Sequence, residues 1–392
     1  MRSFFISAIQ SATPPSISAI AGVAAPKHAV DAEEFLKAAE SSASSSDAGA
    51  IAHLQRLLRN KVKKCPACGK PNGFTLATCN GCGGSLGEVG ISFSTNVFMC
   101  FVLGIARGPF PLTVSIRRQS PTSLVLDDLL ALSPLHFNAI PTTAHIPDWR
   151  YLLRRPAEGL RIIRDLTSEL HAAANEQFMG NEAWRQACIK GGAPLPSDAY
   201  VSGFNFPPSQ YQLHVQFMAP MLVPHHAYQY QRGTHYTEGR FFPYAYVDAL
   251  LEAAVAKYGP EGKGIPAELL QEDTPVEAII AFAEAQLGQS YAEAHKLAYD
   301  RAGALHSQYA AWAPEQFRGV ARENAEGRLE VVLRNEDGSQ NGDAVTDPAK
   351  VNALINDDKL ALQNYGRPYT AEGKPAGTYY SFPREADAVE SW

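Results

Sequence analysis

Apolar residues recur along this chain with two periods, and the longest helical one lies between residues 148 and 178. There Trp149, Leu152, Leu153, Leu160, Ile163, Leu166 and Leu170 mark a single stripe, and Pro156 is placed to kink or restart the helix. Shorter helical patterns run over 31–39 and 48–62, on either side of the serine-rich stretch 41–46, and again over 245–257, 276–286 and 291–312. Strand-like patterns cover 92–105, 112–117, 123–126, 137–140, 199–204, 211–218 and 329–334, with Gly108-Pro109-Phe110-Pro111 as the turn between the first two. In the 211–218 segment, alternation would put Gln212, His214 and Gln216 on one face and Leu213, Val215 and Phe217 on the other. A row of polar groups on a covered sheet needs partners, because an unpaired buried polar group costs roughly 1 to 3 kcal/mol.

These patterns predict an α+β fold, an antiparallel sheet of about five strands with the 148–178 helix on one face. The expected organisation is an N-terminal arm with helices over 1–64, a cysteine knuckle over 65–86, the sheet domain over 87–235, and a mostly helical extension with an irregular tail over 236–392. No internal repeat is visible. Two aromatic segments, Arg240–Tyr246 and Thr378–Phe382, are candidates for protein contact or for core, the first leaning towards core.

With 392 residues, 45% of them apolar and 19% charged, the chain can bury a large core. The net charge of −6 gives no protein-wide attraction to nucleic acid or anionic membrane. Its most apolar stretch, Val97 to Ile105, is too short to span a bilayer, so a soluble protein is expected. The first thirty residues carry Arg2, Lys27 and His28 and no acid, which suits either a mitochondrial or other organellar transit peptide or a flexible arm on a cytoplasmic protein.

Cys65-x-x-Cys68 and Cys79-x-x-Cys82 are separated by ten residues and adjoined by Gly69, Gly81, Gly83 and Gly84. Paired soft ligands with glycines that let the backbone curl beneath the sulfurs are what a structural zinc site requires. The competing readings are two disulfides or a redox pair, whereas Cys100 and Cys188 have no paired spacing. With Asn72 between the pairs, the knuckle also resembles the Ran-binding-protein type of zinc finger, some members of which bind RNA or ubiquitin. Lys63 stands where that family carries tryptophan, and Phe74 is the one obvious aromatic for stacking a base. Lys61, Lys63, Lys64 and Lys70 form a basic cluster. A structural or protein-docking role is favoured over RNA reading.

Three polar segments belong together. Ser123-Leu124-Val125-Leu126-Asp127-Asp128 leads into Ser133-Pro134-Leu135-His136-Phe137-Asn138-Ala139-Ile140-Pro141, followed by His145-Ile146-Pro147. Gly203-Phe204-Asn205-Phe206-Pro207-Pro208 precedes the Gln212-x-His214-x-Gln216 segment. In this order, with a long helix between, residues 90–225 resemble the histidine-triad superfamily, in particular the branch of galactose-1-phosphate uridylyltransferase and the dinucleoside tetraphosphate phosphorylases. The resemblance implies a nucleotide hydrolase or nucleotidyltransferase acting on a nucleotide or nucleotide-sugar phosphate. His214 matches the histidine that attacks the α-phosphate, Asp128 the ribose-hydroxyl acceptor, and His136 a histidine after the preceding strand turn. Asn205 and Ser209 match phosphate contacts, and Gln216 the glutamine that this branch carries in place of the last triad histidine.

The departure is Gln212, which stands at the first triad histidine. Glutamine can orient a group but cannot shuttle a proton. Acid help from His225, His226 or His235 is an alternative, although these read better as surface loop histidines. The competing function is a catalytically inactive, histidine-triad-like accessory subunit of a larger assembly. It would contact other proteins through the knuckle and the C-terminal extension.

Overall fold

The computed structural model describes residues 32–43, 48–79, 83–103, 116–128, 131–222, 224–231, 233, 236–311, 319–326, 328–333, 335, 339–351, 353–354 and 389–392. Two helices open the described chain, α1 (Ala32–Ser42) and α2 (Ala48–Leu58). The second was expected to reach residue 62, but at Arg59 the period changes to two. Asn60 and Val62 turn inward while Arg59, Lys61 and Lys63 turn outward, and the chain continues as β1 (Arg59–Lys64). With β2 (Pro71–Gly73) and β3 (Ser92–Thr95), β1 forms an antiparallel sheet of order β2-β1-β3, which carries the cysteine knuckle.

The segment 92–105 was expected as one strand. It is β3 followed by a helix, α3 (Val97–Leu103), because Asn96 caps it: its Oδ1 accepts from Met99 N–H at 3.3 Å and its carbonyl from Cys100 N–H at 3.0 Å. Six of the seven helical residues are buried, so no polar face marked the period. The 108–111 turn lies outside the described residues, as does the 112–117 strand except for its last two positions.

The main sheet has six antiparallel strands: β4 (Ile116–Gln119), β5 (Ser123–Asp127), β6 (His136–Pro141), β8 (Val201–Asn205), β9 (Val215–Met218) and β10 (Phe241–Pro243), in the order β10-β8-β9-β6-β5-β4. The sixth strand, β10, comes from beyond residue 235, so the sheet crosses the 235/236 boundary drawn from sequence. Phe241, Phe242 and Tyr246 are buried, which makes the first aromatic segment core. The second lies outside the described residues.

One sheet face presents Val125, Phe137, Ala139, Val215 and Phe217 to the expected long helix. That helix is a 3-10 turn (Trp149–Arg154), then α4 (Pro156–Ala174), then a π-helical segment (Asn175–Met179), with Pro156 restarting it as expected. Ile163, Leu166 and Leu170 of α4 fill this core together with α7 (Tyr244–Tyr258); α5 (Glu182–Cys188), α8 (Val276–Leu287) and α9 (Tyr291–Tyr309) surround it. The helix α6 (Pro224–Gln231) follows β9, and β11 (Gly319–Glu323) pairs with β12 (Leu329–Leu333) as a separate hairpin.

Residues 389–392 close the core rather than trailing from it. Glu390–Ser391 pairs in parallel with β7 (Ala144–His145), Trp392 Nε1 donates to Tyr151 O at 2.8 Å, and the Arg155 guanidinium lies 3.9 Å from the indole centroid.

β4 is pinned by a bidentate pair: Arg117 Nε and Nη2 donate to Asp127 Oδ1 and Oδ2 at 2.9 and 2.8 Å, and both side chains are buried. Asp127→Ala, which strands the guanidinium in the core, is expected to lower unfolding free energy by about 3 to 5 kcal/mol. The Arg117→Met, Asp127→Leu double variant should lose much less, and the urea midpoints of the two proteins check the difference.

Candidate functional site

The other face of the main sheet is apolar at both sides and polar between. Leu124, Leu126 and Ile140 meet Phe35, Leu36, Leu54, Leu57 and Phe101 from α1, α2 and α3. Met218 and Phe241 meet Leu222 and Tyr236. Between these clusters, register and alternation align His136 with Met218, and Asn138 with Gln216, which in turn lies opposite Gly203 on β8.

His214 lies at the mouth of β9, not within it, and is only 7% exposed. Its Nδ1 is 2.8 Å from Gln212 O. A carbonyl only accepts, so Nδ1 carries the proton and the lone pair of the neutral ring is on Nε2. Burial lowers the His214 pKa, opposed by the Gln212 bond and by the charge of Asp128. The ring is therefore neutral at pH 7. Phe98 of α3 covers it edge-on, with ring centroids 5.1 Å apart.

His136 is held in the opposite tautomer. Its Nδ1 accepts from Leu132 N–H at 3.2 Å, so Nε2 bears the proton, 3.9 Å from Asp128 Oδ2. Asp128 is fixed twice more, by its own N–H to His136 O at 2.9 Å and by Asn138 Nδ2 to its Oδ2 at 2.8 Å. Asn138 was not singled out from sequence, although its place two residues beyond His136 on one strand face was there to be read. Among the described residues its buried Oδ1 has no hydrogen-bond partner.

The charges of Asp128 and His136 both act on His214, and strand register puts Gln216 and Asn205 on the face that carries His136 and Asn138, Asn205 two residues along β8 from Gly203. Ser209 is exposed on the bend between β8 and β9. Gln212 departs from expectation. The strand starts only at Val215, so the alternation does not extend back to 212, and its fully buried amide is consumed by backbone. Nε2 donates to Pro141 O and Ala144 O at 2.8 and 2.9 Å, and Oε1 accepts from Ile146 N–H at 3.1 Å. Gln212 pins the β6–β7 turn while its carbonyl orients His214. His226 is buried on α6 rather than in a surface loop, and the His225 side chain and residue 235 lie outside the described residues.

His145 Nε2 donates to Tyr211 O at 2.9 Å, and burial pushes its pKa down to about 4, helped by the charges of His53 and Arg56. Below pH 6.5 the unfolded chain binds this proton and the folded one does not, so stability should fall from about pH 6.5 to about pH 4 and then level, by at most roughly 3 kcal/mol. His145→Gln keeps a donor for Tyr211 and removes this titration. Its denaturation midpoint should decline less steeply over that window.

At the knuckle, the sulfurs of Cys65, Cys68 and Cys79 lie within 4.8 Å of one another, and Cys68 Sγ is 3.7 Å from Cys79 Sγ. A tetrahedron with metal–sulfur bonds of about 2.3 Å has an edge of about 3.8 Å, so these residues can hold a metal ion. Two matching turns build the site: Gly69 N–H to Cys65 O at 2.8 Å and Gly83 N–H to Cys79 O at 2.9 Å, each glycine at a positive φ. Asn72 Nδ2 lies 3.5 Å from Cys79 Sγ. Cys82 lies outside the described residues. Cys188 is buried elsewhere, its thiol pushed up to about 12 by burial.

Phe74 packs on Tyr211 and beneath Lys61, and Lys61 Nζ pairs with Glu272 at 2.5 Å, so the finger's aromatic and one of its lysines are engaged within the chain. No helix among the described residues is long and apolar enough to cross a membrane. Comparison of the chain with protein-family models, curated proteins and solved structures gives no match in any of the three.

Proposed function

We propose that the protein is a nucleotide-phosphate hydrolase or nucleotidyltransferase of the histidine-triad kind, acting through a nucleotidyl-histidine at His214. The observation that carries this reading is the Nδ1–H bond from His214 to Gln212 O, which leaves the lone pair on Nε2 of a ring that feels the charges of Asp128 and His136. Nε2 forms a bond to the α-phosphorus as the bond to the leaving oxygen breaks. Water, phosphate or a sugar phosphate then attacks the same phosphorus and returns the histidine to its neutral form. Asp128 accepts from the ribose hydroxyls, Gln216 and Asn205 steady the phosphate, and Ser209 reaches it from the bend. Stabilising charge on the phosphoryl oxygens is the largest catalytic contribution. With Gln212 committed to backbone, the His136 Nε2–H is the imidazole donor on this face for the leaving group.

Zinc is the proposed metal of the knuckle, bound by Cys65, Cys68 and Cys79 with Cys82 as fourth ligand. Four thiolates suit it, and its role there is structural.

A specific observation also favours the accessory-subunit reading, since Phe98 and the surrounding core leave His214 only 7% exposed. One experiment separates the two. The full chain is incubated with a dinucleoside polyphosphate or nucleotide sugar labelled at the α-phosphate, then quenched in alkali, in which a phosphorus–nitrogen bond survives. Label retained on the protein supports the enzyme. No label with any of these substrates ends the catalytic reading and leaves the subunit.

A further inference from the structure

The bend between β8 and β9 that delivers His214 has no regular secondary structure; Phe206 and Leu213 donate to Arg240 O and Ile146 O, His145 donates to Tyr211 O, and its remaining bonds at 210 and 211 come from the knuckle side of the molecule. Asn60, fully buried on β1, accepts from Tyr211 N–H through Oδ1 at 2.8 Å. Its Nδ2 donates to Thr95 O at 3.0 Å and to Gln210 Oε1 at 3.1 Å. Asn96, at the β3–α3 junction and equally buried, donates to Tyr211 O at 3.1 Å, and Gln210 Oε1 also accepts from Val97 N–H at 2.7 Å. Asparagines from outside the bend therefore grip both neighbours of the Tyr211 α-carbon, one residue before the carbonyl that orients His214.

The same strands are continuous with the thiolate site. Cys65 follows directly on β1, and Asn72 of β2 reaches Cys79 Sγ. Gly73, next along β2, approaches the bend so closely that a Cβ there would stand 2.6 Å from Pro207 Cγ. A buried amide network is a costly way to gain stability alone, since apolar packing serves as well without desolvating polar groups. What a fully satisfied network adds is one fixed geometry.

We propose that the knuckle is a positioning device for the nucleophile: Asn60 and Asn96 hold the Tyr211 backbone and thereby the Gln212 carbonyl that orients His214, so that metal at the cysteines and a nucleotide at His214 each strengthen the binding of the other. The nucleotide half rests on the function proposed above; the orientation of His214 does not. Coupling of this kind is reciprocal by thermodynamic necessity.

The test uses the full metal-loaded chain with nitrogen-15 histidine. In the wild type, the His214 ring should show a single tautomer, protonated at Nδ1. Asn60→Ala, Asn96→Ala and chelation of the metal should each give exchange between tautomers. Lys61→Met breaks a different link between knuckle and core, the ion pair to Glu272, while keeping an apolar side chain over Phe74 and every hydrogen bond to Tyr211, and should leave the tautomer unchanged. Chelation needs no substitution, so the answer does not depend on either asparagine variant folding. In a parallel titration with cobalt, AMP should raise metal affinity at least about 5-fold, and metal should raise AMP affinity by the same factor.

A single Nδ1–H tautomer that persists in both asparagine variants and after chelation overturns the proposal, and wild-type labelling by nucleotide would then leave the catalytic reading intact. A tautomer that loosens in a protein binding no AMP sustains the positioning role and removes the nucleotide.

Discussion

His214→Ala is expected to abolish covalent labelling from an α-labelled nucleotide substrate and to reduce turnover by at least about a thousand-fold, roughly 4 kcal/mol of transition-state stabilisation. The effect is large because attack needs the Nε2 lone pair that the Nδ1–H bond to the Gln212 carbonyl leaves on the ring, and alanine offers none. Acid should act on the wild type in a defined direction. Attack needs the unprotonated ring, and burial lowers the His214 pKa, so labelling should hold steady as pH falls through 6.5 and fail only below that lowered value. Quench-flow labelling across this range, with thermal melts of the variant alongside, separates loss of chemistry from loss of fold. A variant that folds and still takes label at the wild-type rate would exclude His214 as the nucleophile.

Removing the metal should have the second large effect, and a local one. Sulfurs held within 4.8 Å of one another suit a bound ion, and the energy of holding that ion is folding energy for the elements around it. Chelation, or Cys65→Ser with Cys79→Ser, is expected to lower amide protection over residues 59–95 by at least about a hundredfold, roughly 2.7 kcal/mol. Protection in β5, β6 and α4 should change far less, because their core is built from Val125, Phe137, Ile163, Leu166 and Leu170 and includes no residue of the knuckle. Hydrogen exchange read by mass spectrometry resolves the two regions. Equal protection with and without chelator would mean that the cysteines hold no structural ion.

Elements with a single clear period were legible from the chain alone. The stripe from Trp149 to Leu170 gave the long helix and its restart at Pro156, and β5 and β6 fall within two residues of their expected limits. Where periodicity vanished, the reading failed. Val97–Leu103 is buried almost all round, so nothing in its pattern distinguished helix from strand, and the decision fell to Asn96 as a cap. Residues 59–62 read as the end of the preceding helix from the chain alone, because the inward turn of Asn60 is set by Gln210 and Tyr211, about 150 residues away.

The candidate site divides along the same line. Residue chemistry and spacing determined that the fold is α+β and that the cysteine pairs suit a metal, and the resemblance of residues 90–225 to the histidine-triad superfamily supplied Asp128 and His136 as expected companions of His214. These are properties of residue type and local period, which a chain carries with it unfolded. Only the tertiary structure decided that Gln212 belongs to the β6–β7 turn, that Phe98 covers the imidazole, that Asn138 holds Asp128, and that Asn60 and Asn96 hold the approach to His214. Each of these depends on which long-range partner satisfies a buried amide or ring, and that choice exists only once the strands have paired.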